Sequence, residues 1–355
     1  MNKHRLYLVG IIGLLAVVLM VVSGVGAAPR VGPVVTLSTT QSQFSAAEQV
    51  QVTVTISNPT RNSLRILKWF TPLEGVEESL FSVKRDGEPV TYIGAYYKRP
   101  AITGNDYITL KAGESLTRVV NLGDYYDLGT SGQYEIRYSV ASTNLFNEKA
   151  SNFKVQEALS SAAISVKVDG KTAKGKPTPA PTPAPGGNTF DVCTESQQSA
   201  LNTARIDAKT YSTNSKNYLS TMSSSSARYA KWFGVFVSGN YSTVQTHFTA
   251  IEKAFIEAGI TFHCGCKQNY YAYVYPTKPY EIYLCKVYWT APATGTDSKA
   301  GTLIHEMSHF NVVAGTSDYV YGQTGAANLA LTDPAKAIMN ADNHEYFAEN
   351  NLPLP

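Results

Sequence analysis

The chain has 355 residues, of which 43% are hydrophobic and 16% are charged. This composition is typical of a folded protein and excludes a largely disordered chain. The formal net charge of +3 is nearly balanced, so nothing indicates a nucleic-acid partner. The length exceeds that of one ordinary core, so we expect two domains with accessory segments.

The N-terminus has the pattern of a secretory signal peptide. Lys3 and Arg5 precede an apolar run that ends at Val22, and small residues follow it. We expect cleavage after Ala27, so that residues 1–27 are removed and the protein is secreted, without membrane attachment after cleavage. The alternative is a retained membrane anchor, because the apolar run approaches the length that spans a bilayer.

Residues 28–170 alternate apolar and polar side chains, as β-strands with one buried face do. The clearest runs are residues 50–56 and 134–140, in which every second residue is apolar. Asp86 and Gly87 lie between apolar runs and indicate a hairpin turn. Strands at this spacing, without a convincing helix, predict an immunoglobulin-like β-sandwich.

A proline-rich segment, residues 171–188, follows the β-rich region. Repeated Pro with Ala and Thr favours an extended spacer that has no core and that a protease can reach. The spacer therefore predicts a domain boundary with a processing site.

Residues 189–355 change to a mixed pattern. Apolar residues recur at helical spacing within 201–211 and 244–255, whereas residues 271–275 alternate and 282–289 form a second strand candidate. The fold class expected for the whole chain is therefore α+β, with a β-sandwich followed by a mainly helical domain that has a small sheet.

The sequence HEMSH at residues 305–309 carries the strongest chemical signal. Residues four apart lie on one face of a helix, so His305 and His309 can bind one ion. Glu306 projects at an angle to them and can hold a water molecule that the metal activates. The motif predicts a zinc peptidase with one Zn²⁺ in its catalytic domain, and the alternative is an ordinary amphipathic helix with two surface histidines.

The third metal ligand distinguishes the classes of zinc peptidase. The metzincin pattern needs Gly and His where this chain has Val312 and Gly315, so that class is excluded. In a second class, the gluzincins, the third ligand is a glutamate further along the chain, and the candidates here are Glu345 and Glu349. The remaining candidate is Asp318, within the sequence GTSDYVYG.

Together, HEMSH and GTSDYVYG resemble the motifs of the aspzincins, the family of deuterolysin and the peptidyl-Lys metalloendopeptidases. The resemblance runs from about Thr189 to the C-terminus, including GTDSKAGTLIHEMSHF and MNADNHEYFAENN, and does not include the β-rich region. It implies that Asp318 is the third zinc ligand. It also implies that Tyr321 stabilises the oxyanion of the tetrahedral intermediate by donating a hydrogen bond.

All four cysteines lie in the C-terminal half. An even number in an exported chain predicts two disulfides, but spacing alone leaves three pairings open. A cysteine zinc site is the alternative, although Cys264 and Cys266 lack the usual gap between ligands. The aspzincin resemblance implies that Cys193 pairs with Cys264 and that Cys266 pairs with Cys285.

Asp342 and Glu345 match two acidic residues that line the specificity pocket of the Lys-directed aspzincins. Three residues apart on a helix, their carboxylates could flank one ammonium group. The resemblance implies that this lysine lies on the primed side, so the bond cut in protein or peptide substrates would precede Lys. Alternatively, these residues form only a helix capping box, which leaves a deuterolysin-like enzyme of broader specificity. The alternative outside the enzymes is a non-catalytic secreted surface-binding protein. The intact Glu306 argues against this alternative.

The β-rich region lies between the signal peptide and the peptidase, which suggests a propeptide that aids folding and acts as an intramolecular inhibitor. Lys171, Lys174 and Lys176 lie beside the expected cut, and a Lys-directed enzyme could accept one of them in its own pocket. The rival interpretation is a permanent substrate-binding or adhesion module.

Overall fold

The computed structural model describes residues 32–354 except 46, 143, 148–157, 171–185 and 222–225. The signal peptide and the three lysines beside the expected processing site lie outside the described residues, so these predictions and the domain boundaries stay untested. Within the described ranges, no helix combines the length and the apolar character needed to cross a bilayer.

The described part of the N-terminal half is built of short strands. They are β1 (Val34–Ser38), β2 (Gln43–Ser45), β3 (Gln51–Ser57), β4 (Leu64–Leu67), β5 (Phe81–Arg85), β6 (Glu88–Pro89), β7 (Tyr96–Lys98), β8 (Tyr107–Leu110), β9 (Ser115–Asn121), β10 (Gly132–Ala141), β11 (Ala158–Ser160) and β12 (Ile164–Asp169).

Apart from β7, these strands form three mainly antiparallel sheets around one hydrophobic core. The sheet orders are β1-β3-β9, β2-β12-β10-β5-β6 with β11 on β10, and β4-β8. The alternation predicted for residues 50–56 and 134–140 is confirmed, because the inward residues of β3 and β10 are buried. The turn after β5 has positive φ at Asp86 (50°) and Gly87 (91°), as tight hairpins require. The immunoglobulin-like type of this β-rich region stays a prediction.

The described part of the C-terminal half contains helices and a small sheet around a second core. Its elements are β13 (Asn188–Asp191), α1 (Glu195–Thr221), α2 (Ala227–Phe233), α3 (Ser238–Glu257), β14 (Ile260–His263), β15 (Ala272–Val274), β16 (Glu281–Leu284), α4 (Lys286–Thr290), α5 (Lys299–His309), α6 (Gly322–Thr332), α7 (Pro334–Ala337) and α8 (Ala341–Glu349).

The helices expected at 201–211 and 244–255 are confirmed as parts of α1 and α3, but the strand expected at 282–289 is wrong in its second half. Only β16 is extended, and α4 begins at Lys286 with Cys285 at its N-cap. Ile282 and Tyr288 are both fully buried. Over so short an apolar run, periodicity could not separate a strand from a helix.

One strand of the N-terminal half joins the sheet of the C-terminal half. The sheet order is β13-β14-β16-β15-β7, and β7 pairs antiparallel with β15 at the edge of the sheet. The two halves are thus connected by a backbone ladder as well as by side chains. This junction lies beside the site described below.

The two disulfides have the pairing that the aspzincin resemblance implies, Cys193–Cys264 and Cys266–Cys285. They close loops with sequence separations of 71 and 19 residues.

Replacing both cysteines of a bridge by Ala is expected to lower the free energy of unfolding. The loss is about 4 kcal/mol for the Cys193–Cys264 bridge and about 3 kcal/mol for Cys266–Cys285, because the longer loop restricts the unfolded chain more. Urea unfolding without reductant measures both losses. Two variants as stable as the parent chain would contradict the expectation.

Candidate metal centre and lysine pocket

Helix α5 is fixed against α8 at its first turn. Ser298 is the N-cap residue, and its hydroxyl accepts a hydrogen bond from the Gly301 amide. Glu349 of α8 in turn accepts from the Ser298 amide at 2.9 Å and from its hydroxyl at 2.7 Å. A Cβ at Gly301 would lie 2.0 Å from the Glu349 carboxylate, so this close approach requires glycine. Glu349 is therefore engaged in anchoring the helix and is not the third metal ligand.

The three predicted ligands converge in the interior. The His305 Nε2 atom is 3.3 Å from Asp318 Oδ1, and the His309 Nε2 atom is 3.4 Å from Asp318 Oδ2. All three side chains are buried, and one ligand atom from each lies within 4.8 Å of the others. Helical spacing brings the two imidazoles together, and the segment between α5 and α6 adds the carboxylate.

The unpaired atoms of this cluster fit a zinc ion. Among the described residues, both Nε2 atoms and both Asp318 oxygens are buried without a hydrogen-bond partner. The other ring nitrogen of each imidazole also has a neighbour. His309 Nδ1 donates to the Thr316 carbonyl at 2.9 Å. His305 Nδ1 lies 2.8 Å from Asp342 Oδ1, which is an ion-pair distance without aligned hydrogen-bond geometry. Two oriented imidazoles and one carboxylate form a donor set that suits zinc.

Glu306 lies beside the ligands but is not one of the three atoms that converge. Its side chain is fully buried, and neither carboxylate oxygen has a hydrogen-bond partner in the described part of the chain. Burial raises the pKa of Glu306 to about 8, and the charge of His305 opposes this rise. A carboxylate in this position beside the ligands can serve as a proton acceptor and donor.

Asp342 and Glu345 lie in the first half of α8, and the capping-box alternative for them is wrong. The N-cap position of α8 belongs to Asn340, so Asp342 is not at the capping position. Asn340 itself makes no side-chain cap. The Asp342 carboxylate instead accepts from the Gly322 amide at 2.6 Å. Both carboxylates also lie near the Nδ1 atom of His305, at 2.8 and 3.4 Å, so they connect the expected pocket with a metal ligand.

The ammonium group of Lys98, from β7, lies among the acidic residues of this pocket. Its Nζ atom is 2.6 Å from Glu345 Oε2, 3.3 Å from Asp297 Oδ1 and 3.7 Å from Asp342 Oδ1. Only 1% of Lys98 is exposed. The two acidic residues thus flank one ammonium group, with Asp297 as a third carboxylate that the sequence analysis did not identify.

Tyr321 also contacts the N-terminal half. Its hydroxyl donates to Glu78 Oε1 at 2.5 Å, and Arg99 Nη2 lies 3.0 Å from the same oxygen. Burial raises the pKa of Glu78 to about 8, although the Arg99 charge opposes this. Sequence analysis missed Glu78, Lys98 and Arg99 because they belong to no motif. The one available signal was strand alternation, which places Lys98 on the buried face shared with Tyr96.

The chain is similar to known metalloendopeptidases. A family model described as lysine-specific metallo-endopeptidase matches residues 218–349. An extracellular protease of Aeromonas hydrophila is 45% identical over 311 residues, which cover 86% of this chain and 89% of that protein. The chain belongs to the aspzincin family. It is accordingly a zinc metalloendopeptidase of the peptidyl-Lys metalloendopeptidase type.

Two fungal relatives show how the similarity is distributed along this aspzincin. The peptidyl-Lys metalloendopeptidase of Grifola frondosa is 37% identical over 315 residues, which cover 85% of this chain and 88% of that protein. That of Pleurotus ostreatus is 49% identical over 167 residues, which cover 47% of this chain and 99% of that protein. The family model lies in the C-terminal half, as expected, while the longer alignments also include much of the β-rich half.

Proposed function

We propose that this aspzincin is a secreted endopeptidase that cuts proteins and peptides on the amino side of Lys. The single observation that carries the proposal is the Lys98 ammonium group, which is held among Asp297, Asp342 and Glu345 beside the metal ligand His305. Secretion is supported by the signal-peptide pattern and by the extracellular relative from Aeromonas hydrophila.

The acidic pocket favours lysine for an electrostatic reason. Taking an ammonium group out of water costs several kcal/mol unless nearby charges compensate for it. Asp342 and Glu345 are buried, so they also lack water as a partner and gain from a bound cation. A neutral side chain would leave these like charges uncompensated. This argument favours lysine specificity over the broader deuterolysin-like alternative.

Each residue of the centre has a role in the proposed reaction. His305, His309 and Asp318 would hold Zn²⁺, which would supply a Lewis acid for the substrate carbonyl and for the attacking water. Glu306 accepts the proton from that water and passes it to the leaving amine. Tyr321 donates its hydroxyl hydrogen to the oxyanion as negative charge develops there.

The β-rich half is proposed to be an immunoglobulin-like propeptide domain, residues 28–170, that restrains the peptidase domain, residues 189–355. The processing site is proposed to lie within 171–188. The Pleurotus ostreatus relative supports a separable peptidase, because its aligned length of 167 residues equals that of residues 189–355. The contacts of Lys98 and Glu78 with the site support the inhibitory role.

The test uses the processed protein and a peptide that contains single Lys, Arg and norleucine residues. We expect one cut, on the amino side of Lys. A zinc chelator abolishes the cleavage, and added zinc restores it. Zinc-dependent cuts at all three residues would support the broader specificity. A zinc-loaded protein that cleaves nothing would contradict the enzyme reading and support the binding-protein alternative.

A further inference from the structure

We propose that β7 is a built-in pseudosubstrate that occupies the substrate-binding edge of β15 with Lys98 in the lysine pocket, while Glu78 engages the Tyr321 hydroxyl. The inference rests on the proposed lysine specificity and goes beyond it, because it identifies which residues of the β-rich half block the site. It also assigns the docking mode of a lysine-containing strand.

The backbone of β7 is bound as an extended peptide would be. It pairs antiparallel with β15, with Tyr96 opposite Val274, Tyr97 opposite Tyr273 and Lys98 opposite Ala272. The Tyr271 amide continues the ladder by donating to the Lys98 carbonyl at 3.0 Å. Adding a strand to an open sheet edge supplies affinity through the backbone and leaves specificity to alternate side chains.

The alternate side chains of β7 point into the peptidase. Tyr96 stacks on the metal ligand His309, with ring centroids 4.8 Å apart and an interplanar angle of 22°. Its hydroxyl lies 3.2 Å from the Ser317 hydroxyl, next to Asp318. Lys98, two residues on, enters the pocket from the same face of the strand. The strand therefore covers a metal ligand and fills the pocket at once.

The positive charge of Lys98 is balanced by carboxylates of the peptidase half. Among the described residues, the carboxylates within 4.0 Å of its Nζ atom are those of Asp297, Asp342 and Glu345. Tyr271 and Tyr346, also of the peptidase half, place their rings 5.0 and 5.7 Å from the ammonium group. A lysine that served the core of its own domain would not be expected to take all these partners from the peptidase.

The second contact explains why the bound strand is held and not processed. Tyr321 donates to Glu78, so its hydroxyl is not available to an oxyanion in this arrangement. Arg99 ties the two contacts together, because it follows Lys98 in the chain and lies 3.0 Å from Glu78. Its guanidinium group also lies 4.7 Å from the Trp69 ring, beneath which Tyr321 packs edge-on.

The decisive experiment measures peptide binding to the zinc-loaded full chain in a Glu306→Ala background, which prevents self-cleavage. The probe is a short fluorescent peptide with one internal Lys. Relative to this background, Lys98→Met is expected to tighten binding at least tenfold, because the strand loses its pocket contacts. Lys84→Met, which removes an exposed lysine of β5, is the matched control and leaves binding unchanged.

Two results would overturn the inference. One is equal peptide affinity with and without Lys98→Met, and the other is peptide binding by the Glu306→Ala full chain that is as tight as binding by the processed protein. Cleavage of Lys and norleucine peptides by the processed protein, with Glu306 intact, distinguishes a failure of this inference from a failure of the proposed function. If the processed protein does not prefer Lys over norleucine peptides, the proposed specificity itself fails.

A second measurement needs no change at Lys98 and holds even where Lys98→Met does not fold. Brief acetylation of the full chain, followed by peptide mapping, reports the reactivity of each lysine. Lys98 is expected to react at least tenfold more slowly than Lys84, because its ammonium group is enclosed. Equal reactivity of the two lysines would overturn the pseudosubstrate assignment.

Discussion

Replacing Glu306 by Gln is expected to lower kcat/KM of the processed enzyme for a Lys peptide by about 10²- to 10⁴-fold, the range that general acid–base groups contribute. The amide has nearly the same shape but cannot accept the proton of the attacking water. Glu306 is not among the three ligand residues that converge, so zinc content is expected to stay unchanged. Steady-state kinetics and elemental analysis on the same sample measure both quantities.

Glu257→Gln is the matched control for this change. Glu257 is exposed at the end of α3, where its carboxylate lies 3.9 Å from the Lys253 ammonium group, so the same substitution there is expected to leave kcat/KM within twofold of the parent. A Glu306→Gln enzyme with more than a tenth of parental activity would remove Glu306 from the role of proton acceptor. Loss of zinc along with activity would instead indicate that Glu306 helps to hold the metal.

Glu345→Gln is expected to lower kcat/KM for a Lys peptide by about 100-fold, which equals about 3 kcal/mol. Glu345 makes the shortest contact with the pocket ammonium group, 2.6 Å, and it is fully buried. Loss of its charge leaves a desolvated cation with weaker compensation. A norleucine peptide carries no charge into the pocket, so its kcat/KM is expected to change less than tenfold. Parallel kinetics with the two peptides give the ratio.

Asp297→Asn is the graded comparison for the pocket. Its side chain is 39% exposed and lies 3.3 Å from the ammonium group, so water already screens part of its charge. We expect a loss of about tenfold or less for the Lys peptide. Asp342 is a poorer choice, because its contact with His305 mixes metal binding with specificity. If Glu345→Gln weakened both peptides equally, the acidic residues would have a structural role and not a specificity role.

The parts of the site that sequence could predict are those whose chemistry depends on local spacing. His305 and His309 share a helix face wherever HEMSH is helical, and Glu306 follows from the same geometry. The convergence of Asp318 with them came from resemblance to a family motif, since no local rule brings that loop to the helix. The disulfide pairing came from the same resemblance, because four cysteines allow three pairings.

The parts that sequence could not predict depend on contacts between distant segments. Lys98 and Glu345 are separated by most of the chain, and β7 is only three residues long, too short to give a periodic signal. Glu78 lies outside the strands and belongs to no pattern. Their roles arise only after two separate cores have docked and β7 has completed the edge of the second sheet.

The measurement that tests the central claim most directly is mass spectrometry of an unfolded protein digested by the processed enzyme, with and without a zinc chelator and beside Glu306→Ala. The account predicts that new fragments begin with Lys, and that chelation and the Glu306→Ala change each abolish them. Fragments that begin with many different residues would contradict the lysine pocket of Asp342 and Glu345, and fragments that persist in chelator would contradict the zinc mechanism.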